Sequence, residues 1–385
     1  MARAPLTPLR AVPRNRDMAP SSPDGPARLA GRRVLLTGAS SGVGLQAARR
    51  FADEGARLAL LGRSAATLRR VIRDHDLDAV PIAVDLTDRD GVDAAVRQAV
   101  DAMGGLDILV SNAAAAVFGH ALEVHPDDFD RTIAVTFTGA TNVVRAALPH
   151  LRASRGTIVA TGSLMSRVPL PTWSSYSAAK HALRGFLNSL AIEEREQRTG
   201  VRIAMVHPGA IDTPLFAQAS SATGRQPRVA PDSYDADVIA RALVEVAVRP
   251  RPEVMLGGEA RIVDLLFAYL RPAGETLLLL IDRWYRSGDE PAKAPGSLWV
   301  APRRPQISGG IPARDSLLAP FQLGTRLLPD PRTPLHFARN LAIAADRGVR
   351  LAGTLVRPVP ERPAPETGLG ARPRRRPAAA GTVTV

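Results

Sequence analysis

Val34-Leu35-Leu36-Thr37-Gly38-Ala39-Ser40-Ser41-Gly42-Val43-Gly44 is the stretch that decides the fold. Its first three residues form a short apolar run, the mark of a buried strand. Thr37 to Gly44 turn on glycine, and a helical pattern follows through Ala47, Ala48 and Phe51 to a stop near Gly55. Glycine permits a tight turn and a close backbone approach, and the helix behind it presents free N–H groups to phosphate. A glycine loop alone is a weak signal. Strand, turn and helix in direct succession supply the context it requires. Gly38, Ser40, Ser41, Gly42, Val43 and Gly44 are therefore read as a dinucleotide phosphate loop.

Outward from this unit the alternation continues. Apolar runs at 58–61, 80–84, 108–110, 157–160, 201–206 and 254–256 alternate with helical patterns near 64–74, 88–103, 127–148, 174–198 and 235–248. Strands that are apolar throughout are covered on both faces, as in a parallel sheet between two helix layers. The fold class is α/β: a doubly wound, mostly parallel seven-stranded sheet with helices on both faces, over residues 32–257. The long helix beginning near 127 is expected to end at Pro149. Residues 258–300 read as an apolar helical extension. Within it, 261–286 read as two helices split at Pro272-Ala273-Gly274. Such a strip can cover a substrate pocket, join a subunit interface or lie on a membrane surface. Residues 1–31 read as a disordered leader. Residues 301–385 read as a Pro/Arg-rich, partly disordered tail with a modest helix near 335–353.

The formal net charge of +13 raises nucleic acid or an anionic surface as partners. Residues 1–33 carry +5 and residues 357–385 carry +4, so most of the charge sits at the two ends. No groove-reading motif accompanies it, and nucleic acid is not expected. The absence of cysteine excludes disulfides and thiolate metal sites, and no metal-ligand cluster appears. Arg3 and Arg10 are not followed by the apolar core of a secretory signal. No stretch approaches the roughly 18–20 apolar residues of a membrane span. The expectation is a cytoplasmic protein, with peripheral membrane contact left open for 261–286.

Cofactor choice is read at the end of the second strand. A carboxylate there would bind the ribose hydroxyls of NAD; this chain has Gly62 followed by Arg63. Glycine removes the charge that would repel a 2′-phosphate, and a guanidinium can pair with one. NADP(H) is favoured over NAD(H). The chemistry is read from a scarcity. Lysine occurs only at 180 and 293 among 50 basic residues, and Lys180 lies four residues after Tyr176, one of four tyrosines. That spacing puts both on one helix face. A compact ammonium there can lower the phenol pKa, a role arginine fills poorly.

Together these features resemble the short-chain dehydrogenase/reductase superfamily over about residues 32–257. The resemblance implies a Tyr-x-x-x-Lys oxidoreductase. Tyr176 is its acid/base, Ser163, 13 residues earlier, the substrate hydrogen-bond donor, and Lys180 the group that tunes Tyr176 and holds the nicotinamide ribose. It further implies that Asp85-Leu86 contact the adenine and that Asn112, in Ser111-Asn112-Ala113-Ala114, belongs to the element after strand four. Pro208-Gly209 and Thr213 would lie on the nicotinamide side. A dimer or tetramer through the long helices after strands four and five is likewise implied. One departure stands out: the family's relay asparagine is replaced by Thr136, whose hydroxyl can still hold a water. Asn142, nearly two turns on, is a poor substitute.

The substrate side is apolar. Leu164, Met165, Val168, Leu170 and Trp173 flank Ser163 and Tyr176, and residues 214–233 read as a mobile lid. His207 is expected to be structural more than substrate-lining. Ser163 lacks a Gly-x-Ser-x-Gly elbow, which argues against a hydrolase. The reading is an NADP(H)-dependent oxidoreductase of a hydrophobic ketone or secondary alcohol. The alternative is an NADP(H)-binding regulatory or scaffold protein with weakened catalysis.

Overall fold

The computed structural model describes residues 27–228, 233–288, 291, 296–300 and 305–308. The expected helix near 335–353 and the expected disorder at the two ends fall outside the described residues. Seven strands form one parallel sheet: β1 (Arg33–Thr37), β2 (Arg57–Gly62), β3 (Ala79–Ala83), β4 (Ile108–Ser111), β5 (Thr157–Thr161), β6 (Arg202–Pro208) and β7 (Glu253–Leu256). Their order is β3-β2-β1-β4-β5-β6-β7. The winding reverses between β1 and β4. A crevice therefore opens beyond the carboxyl ends of those two strands, where ligands bind in open α/β sheets.

Eleven helices are described: α1 (Gly42–Asp53), α2 (Ala65–Asp74), α3 (Arg89–Met103), α4 (Pro126–Ile133), α5 (Gly139–Ser154), α6 (Ser174–Glu196), α7 (Pro214–Gln218), α8 (Ala236–Val248), α9 (Gly258–Tyr269), α10 (Arg271–Arg286) and α11 (Gly296–Trp299). Val34 and Leu36 of β1 pack into the cluster shared with α1, α2 and α8, while Leu35 packs into the cluster under α3, α5 and α6. Alternate residues of a strand face opposite sides, so a strand buried twice must be apolar at every position. Each such Leu or Val contributes about 1.5–3 kcal/mol by leaving water.

The helix starts are chemically distinct. The side chains of Ser64, Asp88 and Asp235 accept from backbone amides at the starts of α2, α3 and α8. Ser41, at the start of α1, makes no such bond. At the start of α1, beside the crevice, no side chain takes the N-terminal amides, which suits them to another acceptor.

Three boundaries differ from the sequence reading. The long helix is not continuous, because a π-turn over Ala134–Thr138 separates α4 from α5. Nor does α5 end at Pro149; it runs on to Ser154. Pro149 and Arg145 are exposed, so the carbonyl that Pro149 leaves without a donor lies on the solvent side. Val143, Val144, Ala147 and Leu151 meanwhile stay in the core. The α9–α10 break falls at Leu270, with Pro272 in the first turn of α10. A first-turn proline loses no helical hydrogen bond.

Candidate active site

The crevice is a cavity of about 880 Å³. Of the residues singled out in the sequence, Gly38, Ser40, Ser41, Gly42, Val43, Gly44, Arg63, Asp85, Leu86, Asn112, Ser163, Tyr176, Lys180, Pro208, Gly209 and Thr213 line it. The glycine loop fits tightly. Gly38 has φ +73, and a Cβ there would meet Ala113 Cα at 2.9 Å; a Cβ on Gly44 would overlap the Gly38 carbonyl. Only glycine lets this turn close against the strand ends. Thr37 Oγ1 accepts from the amides of Asn112 (2.9 Å) and Ala113 (3.1 Å), tying the loop to the end of β4. The Asn112 side chain accepts from Thr161 Oγ1 at 3.0 Å, and its amide nitrogen donates to the Thr37 carbonyl at 3.3 Å. A helix start without a side-chain cap, a glycine floor and a fixed Asn112 fit a nicotinamide dinucleotide.

Deeper in the cavity, Ser163 caps a short 3-10 turn over Leu164–Ser166. Its Oγ accepts from the Met165 amide at 3.1 Å. Its hydroxyl hydrogen-bonds the Tyr176 oxygen. Tyr176 and Lys180 sit one turn apart on α6, with Nζ 5.6 Å from the ring centroid. Lys180 donates to the Thr161 carbonyl at 2.7 Å. Burial dominates the titration of both. It raises the Tyr176 phenol above its usual range, against the Ser163 hydrogen bond that favours the phenolate. It lowers the Lys180 ammonium to about 8. The phenol is thus the stable form here: desolvation governs Tyr176, only Ser163 opposes it, and the lowering expected from Lys180 is not found.

One residue stands elsewhere than expected, and His207 stands where a structural role puts it. Thr136 does not line the cavity. It is fully buried in the π-turn, where Oγ1 accepts from the Ala115 amide at 3.0 Å and donates to the Ala115 carbonyl at 2.9 Å. Its hydroxyl braces the loop after β4 and has no donor left for a relay water. His207 does not line the cavity either. Its Nδ1 lies 3.2 Å from the Ser163 carbonyl and its Nε2 3.8 Å from Glu253, which Arg167 and Arg184 also hold. It supports the backbone of Ser163, and burial keeps it neutral by lowering its pKa.

Around Arg63 and Asp85 the structure adds groups that sequence did not single out. Arg131 of α4 holds Asp85, which also accepts from the amide and hydroxyl of Thr87. Arg63 donates to carbonyls of residues 297, 298 and 300. At the far end, Trp173 gathers Phe118, Phe216, Tyr285 and Tyr176, with ring centroids 5.3–6.3 Å away. Five of only 16 aromatic residues meet there. Leu164, Met165, Val168 and Leu170 line the same end, as do Val263, Leu277, Leu278 and Ile281 from α9 and α10. The apolar strip after β7 therefore covers the pocket. Phe118, Phe216 and Tyr285 carried no local pattern that could have marked them. Within 214–233, α7 brings Leu215 and Phe216 to the wall. Among the described residues no cluster suits a metal ion, and no helix is long and apolar enough to cross a membrane.

Residues 32–224 match the short chain dehydrogenase family. An uncharacterized oxidoreductase of Bacillus subtilis is 31% identical over 241 residues, covering 61% of this chain and 68% of its own. An alcohol dehydrogenase from Thermococcus sibiricus, complexed with 5-hydroxy-NADP, superposes with a TM-score of 0.52 at 25% identity, over 58% of this chain and 95% of its own. A 3-ketoacyl-(acyl-carrier-protein) reductase from Brucella melitensis, complexed with NADH, gives 0.53 at 28% identity, over 59% and 97%. The parallel sheet agrees with these matches: the chain belongs to the short-chain dehydrogenase family, oxidoreductases of the alcohol/carbonyl couple that use a nicotinamide cofactor.

Proposed function

We propose that this protein is an NADP(H)-dependent reductase of hydrophobic ketones, working through Ser163, Tyr176 and Lys180. The observation that carries the reading is the meeting of those three side chains at the boundary between a glycine-floored cleft and an aromatic pocket. The cofactor, when bound, supplies the hydride. Tyr176 gives its proton to the carbonyl oxygen as that oxygen gains charge, and the neutral phenol favoured by burial suits the donor role. The Ser163 hydroxyl donates to the same oxygen. The Lys180 ammonium sits one turn behind and stabilises the phenolate left after transfer. An apolar pocket with few polar groups selects a substrate with a large apolar body beside its carbonyl. Arg63, with no acid at Gly62, supports NADP(H). Subunit pairing through α5 and α6 follows from the family resemblance.

Fluorescence titration with NADPH and NADH, followed by a ketone panel, tests this. Tighter NADPH binding and turnover of aryl or long-chain ketones are expected. Tighter NADH binding would remove the Arg63 assignment, and binding without turnover would remove the catalytic one.

A second reading, peripheral contact with an anionic membrane, is favoured by one surface. Tyr269 and Leu270, 80% and 60% exposed, crown the α9–α10 junction, with Ile262, Leu265, Leu279 and Leu280 exposed beside them. Among the described residues Arg261 and Arg283 on these helices face no carboxylate. Ile262 and Leu280 also line the cavity, so the patch is continuous with the pocket mouth. Flotation with liposomes checks the idea.

A further inference from the structure

The cofactor reading makes no use of the residues beyond α10, yet the described ones touch the cofactor cleft at two places. Arg63 Nη1 donates to the Leu298 carbonyl at 3.1 Å, and Nη2 donates to those of Ser297 (2.6 Å) and Val300 (3.2 Å). A guanidinium offers two bidentate edges, and Nη2 belongs to both. Its two hydrogens already have two carbonyl acceptors. A 2′-phosphate therefore has no fork to grip while these carbonyls stay. At the other end of the cleft the Gly42 amide, at the open start of α1, donates to the Gln306 carbonyl at 2.7 Å. A backbone oxygen carries partial negative charge and sits where a phosphate oxygen would accept.

Both segments are anchored. Leu298 is fully buried with Ala115, Val117 and Val124. Trp299 Nε1 donates to Asp128 at 2.6 Å, and Arg131 lies 5.4 Å over its ring. On the far side, Ser308 Oγ donates to Asp212 at 2.6 Å, and Ile307 packs on the cluster between α1 and α8. The anchors are side chains and the occupying groups are carbonyls.

We infer that segments 296–300 and 305–308 form an intramolecular competitor for the phosphates of the cofactor: Ser297, Leu298 and Val300 occupy Arg63, Gln306 occupies Gly42, and NADP(H) binds as they withdraw. This rests on the assignment of Arg63 to the 2′-phosphate. The strap lowers the binding-competent fraction, so apparent affinity falls in proportion. Cofactor and strap exclude one another at two points. The strap is therefore released by its competitor, unlike a lid, which is held down by it.

The test is hydrogen exchange of the full chain with and without saturating adenosine 2′,5′-bisphosphate, the phosphate-bearing part of NADP without its nicotinamide. Amides of 296–300 are expected to exchange several-fold faster with the ligand present. Slower or unchanged exchange overturns the inference, since a strap that closes over the ligand gains protection. Calorimetry on Trp299→Ala gives the second arm. This half-exposed side chain anchors the strap without touching Arg63 or Gly42, and its loss is expected to tighten bisphosphate binding roughly three- to tenfold. If the bisphosphate outbinds 5′-AMP but Trp299→Ala gains nothing, the strap fails and Arg63 stands. If it binds no better than 5′-AMP to either protein, the Arg63 assignment fails, and the strap with it.

Discussion

At the residue scale, burial sets the chemistry. Tyr176 and Lys180 are both taken out of water, and each is pushed toward its neutral form. Tyr176→Phe keeps the ring packed against Trp173 and removes only the phenolic hydroxyl, and with it the proton. Turnover is expected to fall about 10²–10⁴-fold, with NADPH affinity close to that of the parent. Steady-state kinetics beside a fluorescence titration reads both, and an active Phe variant would dismiss Tyr176 as the acid. Lys180 gives a pH signature. It is an ammonium below its pKa of about 8 and loses that charge as pH rises through it. Reductive kcat/KM, which reports the free enzyme, is therefore expected to decline above about pH 8. A flat profile to pH 10 would separate Lys180 from the reaction. The stability sign is the reverse. A lysine with a depressed folded pKa costs stability while charged, and that cost is relieved as pH climbs from about 8 to 10.5.

At the scale of elements, the site is the meeting of strand ends with the start of α1, which no side chain caps. The first turn of α1 lies so close to the loop that a methyl on Gly44 would overlap the Gly38 carbonyl. Gly44→Ala must move backbone, at a cost of about 1–3 kcal/mol or more. A fall in Tm of at least about 2–4 °C with loss of NADPH binding is expected by thermal scan and titration. Unchanged binding would mean that the loop tolerates rearrangement. The π-turn between α4 and α5 serves a related purpose: it turns the Thr136 hydroxyl onto Ala115, fixing the loop that carries Asn112.

For the whole molecule, the pocket is closed by a helical pair whose outer side mixes exposed apolar residues with arginines. If that side meets lipid, full-length protein should float with anionic vesicles. Leu265→Ser with Leu270→Ser should weaken recovery about tenfold or more, since each removes roughly 1.5–3 kcal/mol of burial. Both positions are exposed, so the fold should survive. Equal recovery of parent and variant would assign the patch to something other than a membrane.

The sequence by itself determined the sheet, the glycine turn between β1 and α1, and the placing of Tyr176 and Lys180 on one helix face. Each is a local signal: apolar runs of strand length, glycines between a strand and a helix, a tyrosine and a lysine one turn apart. Tertiary structure alone decided the rest. Arg131 reaches Asp85 from 46 positions away, Phe118 and Tyr285 reach Trp173 from different elements, and Arg63 finds carbonyls more than 230 residues on. It also sent Thr136 away from the cavity to brace the loop after β4, and it gave His207 the Ser163 carbonyl as its partner. A hydroxyl or an imidazole has the same letter in a relay and in a brace. Only the neighbours folding brings within hydrogen-bonding reach decide which it becomes.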